Sequence, residues 1–218
     1  MSSKTESEQI LGKVEGFIRI HARLLIIIVC LIIAFFISFL VIKEVVNKTN
    51  ETAMNRIYAL EEDFKTFSES SDKNAENSAD LISGLENEIK KGTVYSSSRA
   101  AFLLGRLYVL LEDYENAIKS FSTVTDKQKN SYLACISYFD LGEVYSLTDN
   151  PSEAVLAFSK CAECDVEFGF KAKAYLNMGA LEEKMGDMDL AKTYMEMAAE
   201  YSSYSEYGKM AENWLILH

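Results

Sequence analysis

Few residues in this sequence are placed to do chemistry. The nearest thing to a reactive motif is Cys161-Ala-Glu-Cys164, two thiols separated by two residues. That spacing suits thiol–disulfide exchange or metal binding. A redox pair needs a stabilised thiolate, as at a helix N-terminus. Here Ala154, Val155, Phe158 and Cys161 recur at helical spacing, which puts Cys161 on a packed face near a helix's C-terminal end. A zinc ion would need two further ligands, and only Cys135 is near in sequence. The cysteines are therefore expected to be buried and structural. His21 and His218 are the only histidines. The sequence has no HExxH zinc motif, GxxxxGK[ST] phosphate loop, GxGxxG turn or GxSxG elbow. The expectation is a binding protein with no catalytic residues, no cofactor and no metal. The net charge of −11 and the lack of a basic stripe argue against nucleic acid, because phosphate binding needs clustered Lys and Arg.

What would position a binding surface is a pattern written three times between residues 98 and 198. The first copy reads Ala101, Leu104, Gly105, Tyr108, Ala117 and Phe121. The second reads Tyr138, Leu141, Gly142, Tyr145, Ala154 and Phe158. The third reads Tyr175, Met178, Gly179, Ala191 and Met195. Glycines and alanines both recur every 37 residues. A fixed period of this length predicts stacked two-helix units. A helix-interior glycine costs ~1 kcal/mol relative to alanine, so three at one register predict close helix approach. Each unit breaks once, at Glu112-Asp113-Tyr114, Asp149-Asn150-Pro151 and Gly186-Asp187-Met188. Asp and Asn suit an N-cap, and Pro suits a first helical turn.

The L-G-x-x-Y and A-x-x-x-F pattern resembles the tetratricopeptide repeat (TPR) family. Copies one and two carry it in full. Copy three departs, with Met178 for Leu, Glu182 for Tyr and Met195 for Phe. The family's usual period is about 34, so longer connections between units are expected. The resemblance implies an all-α superhelix of three helix-turn-helix repeats with helical caps. In that family the first helix of each unit lines the groove that takes extended peptide segments. The corresponding candidates here are Arg99, Phe102, Arg106, Phe139, Asp140, Glu143, Lys173, Asn177 and Lys184. Family members that clamp a peptide's terminal carboxylate carry Lys, Asn, Asn, Lys and Arg at five such places. This sequence has Phe102, Arg106, Asp140, Lys173 and Asn177 there, and only Lys173 retains its type. The groove is thus expected to accept mixed apolar and charged segments, with Phe102 and Phe139 as its exposed apolar surface. Alternatively, residues 79–91 cover both rings.

The remaining segments read in order. Residues 1–23 are a polar leader with Lys4, Lys13, Arg19 and Arg23. Residues 24–42 are an uncharged apolar run. At ~1.5 Å per residue it reaches roughly 28 Å, about the hydrocarbon thickness of a bilayer. No A-x-A cleavage site follows Ile42, so an uncleaved transmembrane helix is expected. The leader's four basic residues outnumber Lys43, Lys48 and Arg56 beyond the run, which favours a cytoplasmic N-terminus. Residues 43–78 form a helical neck and linker. In the neck, Val46, Asn50, Ala53, Ile57, Leu60, Phe64 and Phe67 trace a heptad seam. That seam either makes a homodimer through residues 43–67 or docks on its own repeats. Residues 79–97 are an N-terminal capping helix with Gly92 as its C-cap, 98–204 the three repeats, and 205–218 a C-terminal cap anchored by a buried Trp214.

An N-terminal anchor followed by TPRs, together with the stretch Tyr95 to Phe121, resembles the YfgM-like ancillary subunits of the bacterial SecYEG translocon. The resemblance implies a single-pass protein of the bacterial inner membrane with repeats in the periplasm, assisting protein export or envelope protein folding. A second bacterial type joins a coiled-coil neck to TPRs and scaffolds envelope or cell-division proteins.

Overall fold

The computed structural model describes residues 6–71, 73–129, 131–164 and 169–218. Lys4 of the leader and Asp72 of the linker lie outside them. Among the described residues there are nine α-helices and no strand. They are α1 (Glu6–Glu69), α2 (Ala75–Lys91), α3 (Val94–Leu110), α4 (Tyr114–Lys127), α5 (Tyr132–Leu147), α6 (Pro151–Ala162), α7 (Lys171–Met185), α8 (Met188–Tyr201) and α9 (Glu206–Leu217). The chain divides into two compact units, residues 1–52 and 53–218.

The first unit is helical from Glu6 onward. Every side chain from Ile26 to Ile42 is exposed. The most apolar window has a mean hydropathy of 3.5, and none of it is buried. By length and composition this helix suffices to cross a bilayer. Beyond the apolar run, Thr49 and Thr52 donate their hydroxyls to the carbonyls of Val45 and Lys48, one turn back.

The second unit opens with the remainder of α1 paired to α2. Ala53 is fully buried, and Ile57, 1% exposed, and Phe67 pack with Leu81, Leu85, Leu103, Leu104 and Leu107. From Ala53 on, the heptad seam is therefore buried in its own domain and is not a free face for a second chain. The linker is shorter than its composition suggests, since Asn74 accepts a hydrogen bond from the Asn77 N–H and starts α2 there. Residues 94–97 belong to the first repeat helix, capped by Thr93. Gly92 does end α2, in an extended and not a left-handed conformation.

One ion pair locks this junction. Arg56 donates from Nε to Glu88 Oε2 at 2.7 Å and from Nη2 to Oε1 at 3.2 Å. Burial would raise the Glu88 carboxyl. Hydrogen bonds from Arg56 and Ser96, with the Arg56 charge, outweigh that and hold it below its usual range. Glu88 is buried, and a buried carboxylate is tolerated because it is paired.

The three repeats follow as α3/α4, α5/α6 and α7/α8. Each glycine faces the second helix of its own unit. A Cβ on Gly105 would come within 2.7 Å of the Phe121 ring, and one on Gly142 within 2.6 Å of Phe158. On Gly179 it would meet Met195 at 2.9 Å. Large side chains thus fill the space the glycines leave, and Ala117, Ala154 and Ala191 are fully buried beside them. Tyr108 and Tyr145 are partly buried against the same cores.

The breaks share one conformation. Glu112, Asp149 and Gly186 have φ of 59°, 56° and 91°. The next residue's N–H then reaches back at 2.9 Å to the carbonyl of Tyr108, Tyr145 or Glu182. Asp113 and Asp187 cap the following helices, whereas Asn150 makes no cap bond and relies on Pro151. A left-handed L-residue costs roughly 1–2 kcal/mol, offset in part by glycine's entropy. Glu112→Gly should therefore stabilise the domain by up to about 1 kcal/mol in urea denaturation. A loss of stability would show that the Glu112 side chain matters more than its backbone.

The C-terminal cap is built differently from the expectation. Gly208 and Ala211 are the buried residues of α9, and Ala211 packs with Met195 and Ala198 of α8. A Cβ on Gly208 would lie 2.0 Å from the Ser202 carbonyl oxygen, so the helix approaches by its smallest residue. Trp214 is only half-buried. Its Nε1 donates to Glu183 at 2.8 Å and its ring stacks on His218 at 4.3 Å.

Candidate peptide-binding site

A cavity of about 630 Å³ opens among the first helices of the repeats. Helix α3 contributes Arg99, Phe102 and Arg106, and α5 contributes Phe139, Asp140 and Glu143. Lys173 comes from α7. Seven of the nine expected groove residues therefore converge. Asn177 and Lys184 do not line it. Lys184 instead pairs with Asp149 at 2.9 Å on an exposed surface. Phe64 and Ser68, from the end of α1, and Phe170, just before α7, complete the walls. Phe64 was visible as a seam position, but nothing in the local pattern marks Phe170.

The two phenylalanines are a floor and not an exposed ridge. Phe102 is 5% exposed and Phe139 4% exposed. Ile89, from residues 79–91, packs against the cluster that holds Phe102, and neighbouring rings cover the rest. Phe102 lies 5.9 Å from Phe121, and Phe139 lies 5.4 Å from both Phe158 and Phe170. Arg106 sets its guanidinium 5.8 Å from the Phe64 and Phe102 centroids. Rings stacked from neighbouring helices bury one another's faces and leave a shallow apolar base.

Most charges in the cavity are already matched. Lys173 Nζ donates to Glu143 at 2.7 Å and sits 4.7 Å above the Phe139 ring. Arg99 donates to Glu61. Arg106 and Asp140 have no ion pair among the described residues, and Asp140 is the more buried of the two. Half-buried, it makes no hydrogen bond or ion pair among the described residues. Burial pushes its carboxyl up to about 7; Arg106 opposes that, Glu143 adds to it, and Lys173 opposes it. The one lysine shared with carboxylate-clamping TPRs is thus engaged by Glu143, and the carboxylate beside it would repel an incoming one.

The two cysteines of the CxxC motif do not pair with each other. Cys135 and Cys164 form a disulfide with Cα atoms 6.1 Å apart, tying the first turn of α5 to the segment after α6. An antiparallel helix pair brings the start of one helix beside the end of the other, which sets this pairing. Cys161 stays a free buried thiol, pushed up to about 12 by burial. It is protonated at neutral pH and unsuited to redox work. Among the described residues no group of three or more His, Cys, Asp or Glu is placed to hold a metal ion.

An α-helical repeat superhelix with a pocket on its first-helix face defines a TPR-like interaction module. The tetratricopeptide repeat model matches residues 98–130 and 172–204, so the chain carries TPRs in its first and third units. The middle unit, despite its complete motif, lies outside that match. The chain is similar in fold to the crystal structure of MamA, at 22% identity and a TM-score of 0.55, covering 72% of this chain and 84% of that one. It is also similar to a kinesin light chain from Podosopora anserina with nearly identical TPR-like repeats. There the identity is 11% and the TM-score 0.56, over 77% of this chain and 84% of that one. No curated protein matches the chain.

Proposed function

We propose that this protein is a membrane-anchored interaction module whose repeats lie outside the cytoplasm and hold segments of other proteins during export or envelope folding. The observation that carries the reading is the aromatic-floored cavity on the first-helix face. A pocket of several hundred Å³ with a few fixed polar groups suits side-chain recognition, and TPRs imply protein partners. The exposed apolar run of α1 suits a bilayer of the bacterial inner membrane, and the basic leader favours a cytoplasmic N-terminus. The Cys135–Cys164 disulfide favours an oxidising compartment such as the periplasm. The scaffold alternative needs a self-associating neck, and the burial of Ala53, Ile57 and Phe67 weighs against it.

Alkaline phosphatase, which folds actively only where disulfides form, tests the orientation when fused after His218. Active fusions in well-expressed protein are the expected result. Silent fusions, with a cytoplasmic reporter active at the same point, would reverse the topology.

A further inference from the structure

We propose that the cavity selects its partners by a basic side chain, a lysine or arginine flanked by apolar residues, whose charge rests against Asp140 and whose stem crosses the aromatic floor. This deepens the docking reading above and rests on it. Of the charges lining the cavity, Arg99 is bound to Glu61 and Lys173 to Glu143. Two are left without an ion pair, Arg106 and Asp140. They differ in depth. Arg106 is exposed and rests over the Phe64 and Phe102 rings, so an acidic partner there would make a rim contact worth little. Asp140 is half-buried among the apolar residues of the cavity. An occupant that covers it must supply a positive charge, strip water from a carboxylate that no ion pair holds, or leave it protonated, and only the first gains a charge–charge attraction.

The floor favours the same occupant. Phe170, 41% exposed, offers ring surface beside the nearly buried Phe102 and Phe139, and aromatic rings attract cations and accept the methylene stems of Lys and Arg. The protein itself uses this arrangement, with Lys173 above Phe139 and Arg106 beside Phe102. An acidic side chain would meet Asp140 and Glu143. A purely apolar one would satisfy the rings and leave Asp140 unpaired.

The test uses the full chain in nanodiscs, with empty nanodiscs as the blank. Three fluorescent Gly/Ser-rich peptides carry a central Leu-Xaa-Leu, with Xaa as lysine, norleucine or glutamate, and binding is read by anisotropy. The lysine peptide should bind about tenfold more tightly than the norleucine peptide, a difference of one decade in Kd, with glutamate weakest. Asp140→Asn should remove the lysine advantage by bringing the lysine and norleucine peptides to similar affinity, whereas Lys184→Ala, outside the cavity, should leave the order of the three as it is. Equal binding of all three, or a lysine preference that survives Asp140→Asn, would overturn the inference while the docking reading stands. Glutamate binding best would overturn it in the same way. Binding of none would overturn both.

Discussion

Phe158→Ala should destabilise the repeat domain by about 3–5 kcal/mol, the range for losing a fully buried aromatic. The ring is 1% exposed, sits on Gly142 and lies 5.4 Å from Phe139. Neither neighbour can fill the gap, because Gly142 has no side chain and Phe139 is held by Phe170 as well. Equilibrium denaturation of the full chain measures the effect. The reciprocal substitution, Gly142→Ala, should cost about 1–3 kcal/mol through overpacking, since its Cβ would stand 2.6 Å from the ring. Combined with Phe158→Leu, the alanine should cost less than it does alone, because the smaller side chain makes room. Residues in contact couple in this way. Strictly additive effects would mean that the ring is not why glycine is needed. In the third unit the neighbour is the flexible Met195, and Gly179→Ala should be milder.

Asp140→Asn should raise stability at pH 8. In the folded protein the Asp140 carboxyl is pushed up to about 7, against 3.8 for the unperturbed group. Between those values folding takes up a proton, so this residue's contribution to stability falls as pH rises from about 4 to about 7 and stays low above. A shift of that size corresponds to about 4 kcal/mol at most. Water in the open cavity screens part of it, which leaves roughly 1–3 kcal/mol. The asparagine variant should therefore match the wild type near pH 4 and exceed it at pH 8. Taking the difference between the two cancels the titration of groups the substitution does not touch. Arg99, Arg106, Glu61, Glu143 and Lys173 surround the site, so each variant should first be checked for an unchanged near-ultraviolet spectrum. Equal stability at both pH values would show that the carboxylate is well solvated. Such a residue is retained against stability, which fits a site whose partner supplies the missing charge.

The repeat units were legible in sequence because their physics is local. Gly105, Gly142 and Gly179 stand one period apart, the breaks fall at equivalent places, and Asp113 and Asp187 cap the helices that follow. Seven groove residues were legible because the resemblance to TPRs points to the first helix of each unit, and helical spacing then sets which side chains share its face. What faces that surface was not. Phe64 and Phe170 come from segments before the first repeat and between later ones, and only packing brings them beside Phe102 and Phe139. The same limit hid the Cys135–Cys164 bond. A CxxC motif reports spacing along one helix, whereas the bond joins the start of α5 to the end of its antiparallel partner. The neck seam shows the division most clearly. Its period fixed an apolar stripe from Val46 to Phe67, but a stripe does not name its partner. The tertiary structure decided that from Ala53 onward the partners are α2 and α3, because burying those side chains within the chain avoids the entropy of recruiting a second one.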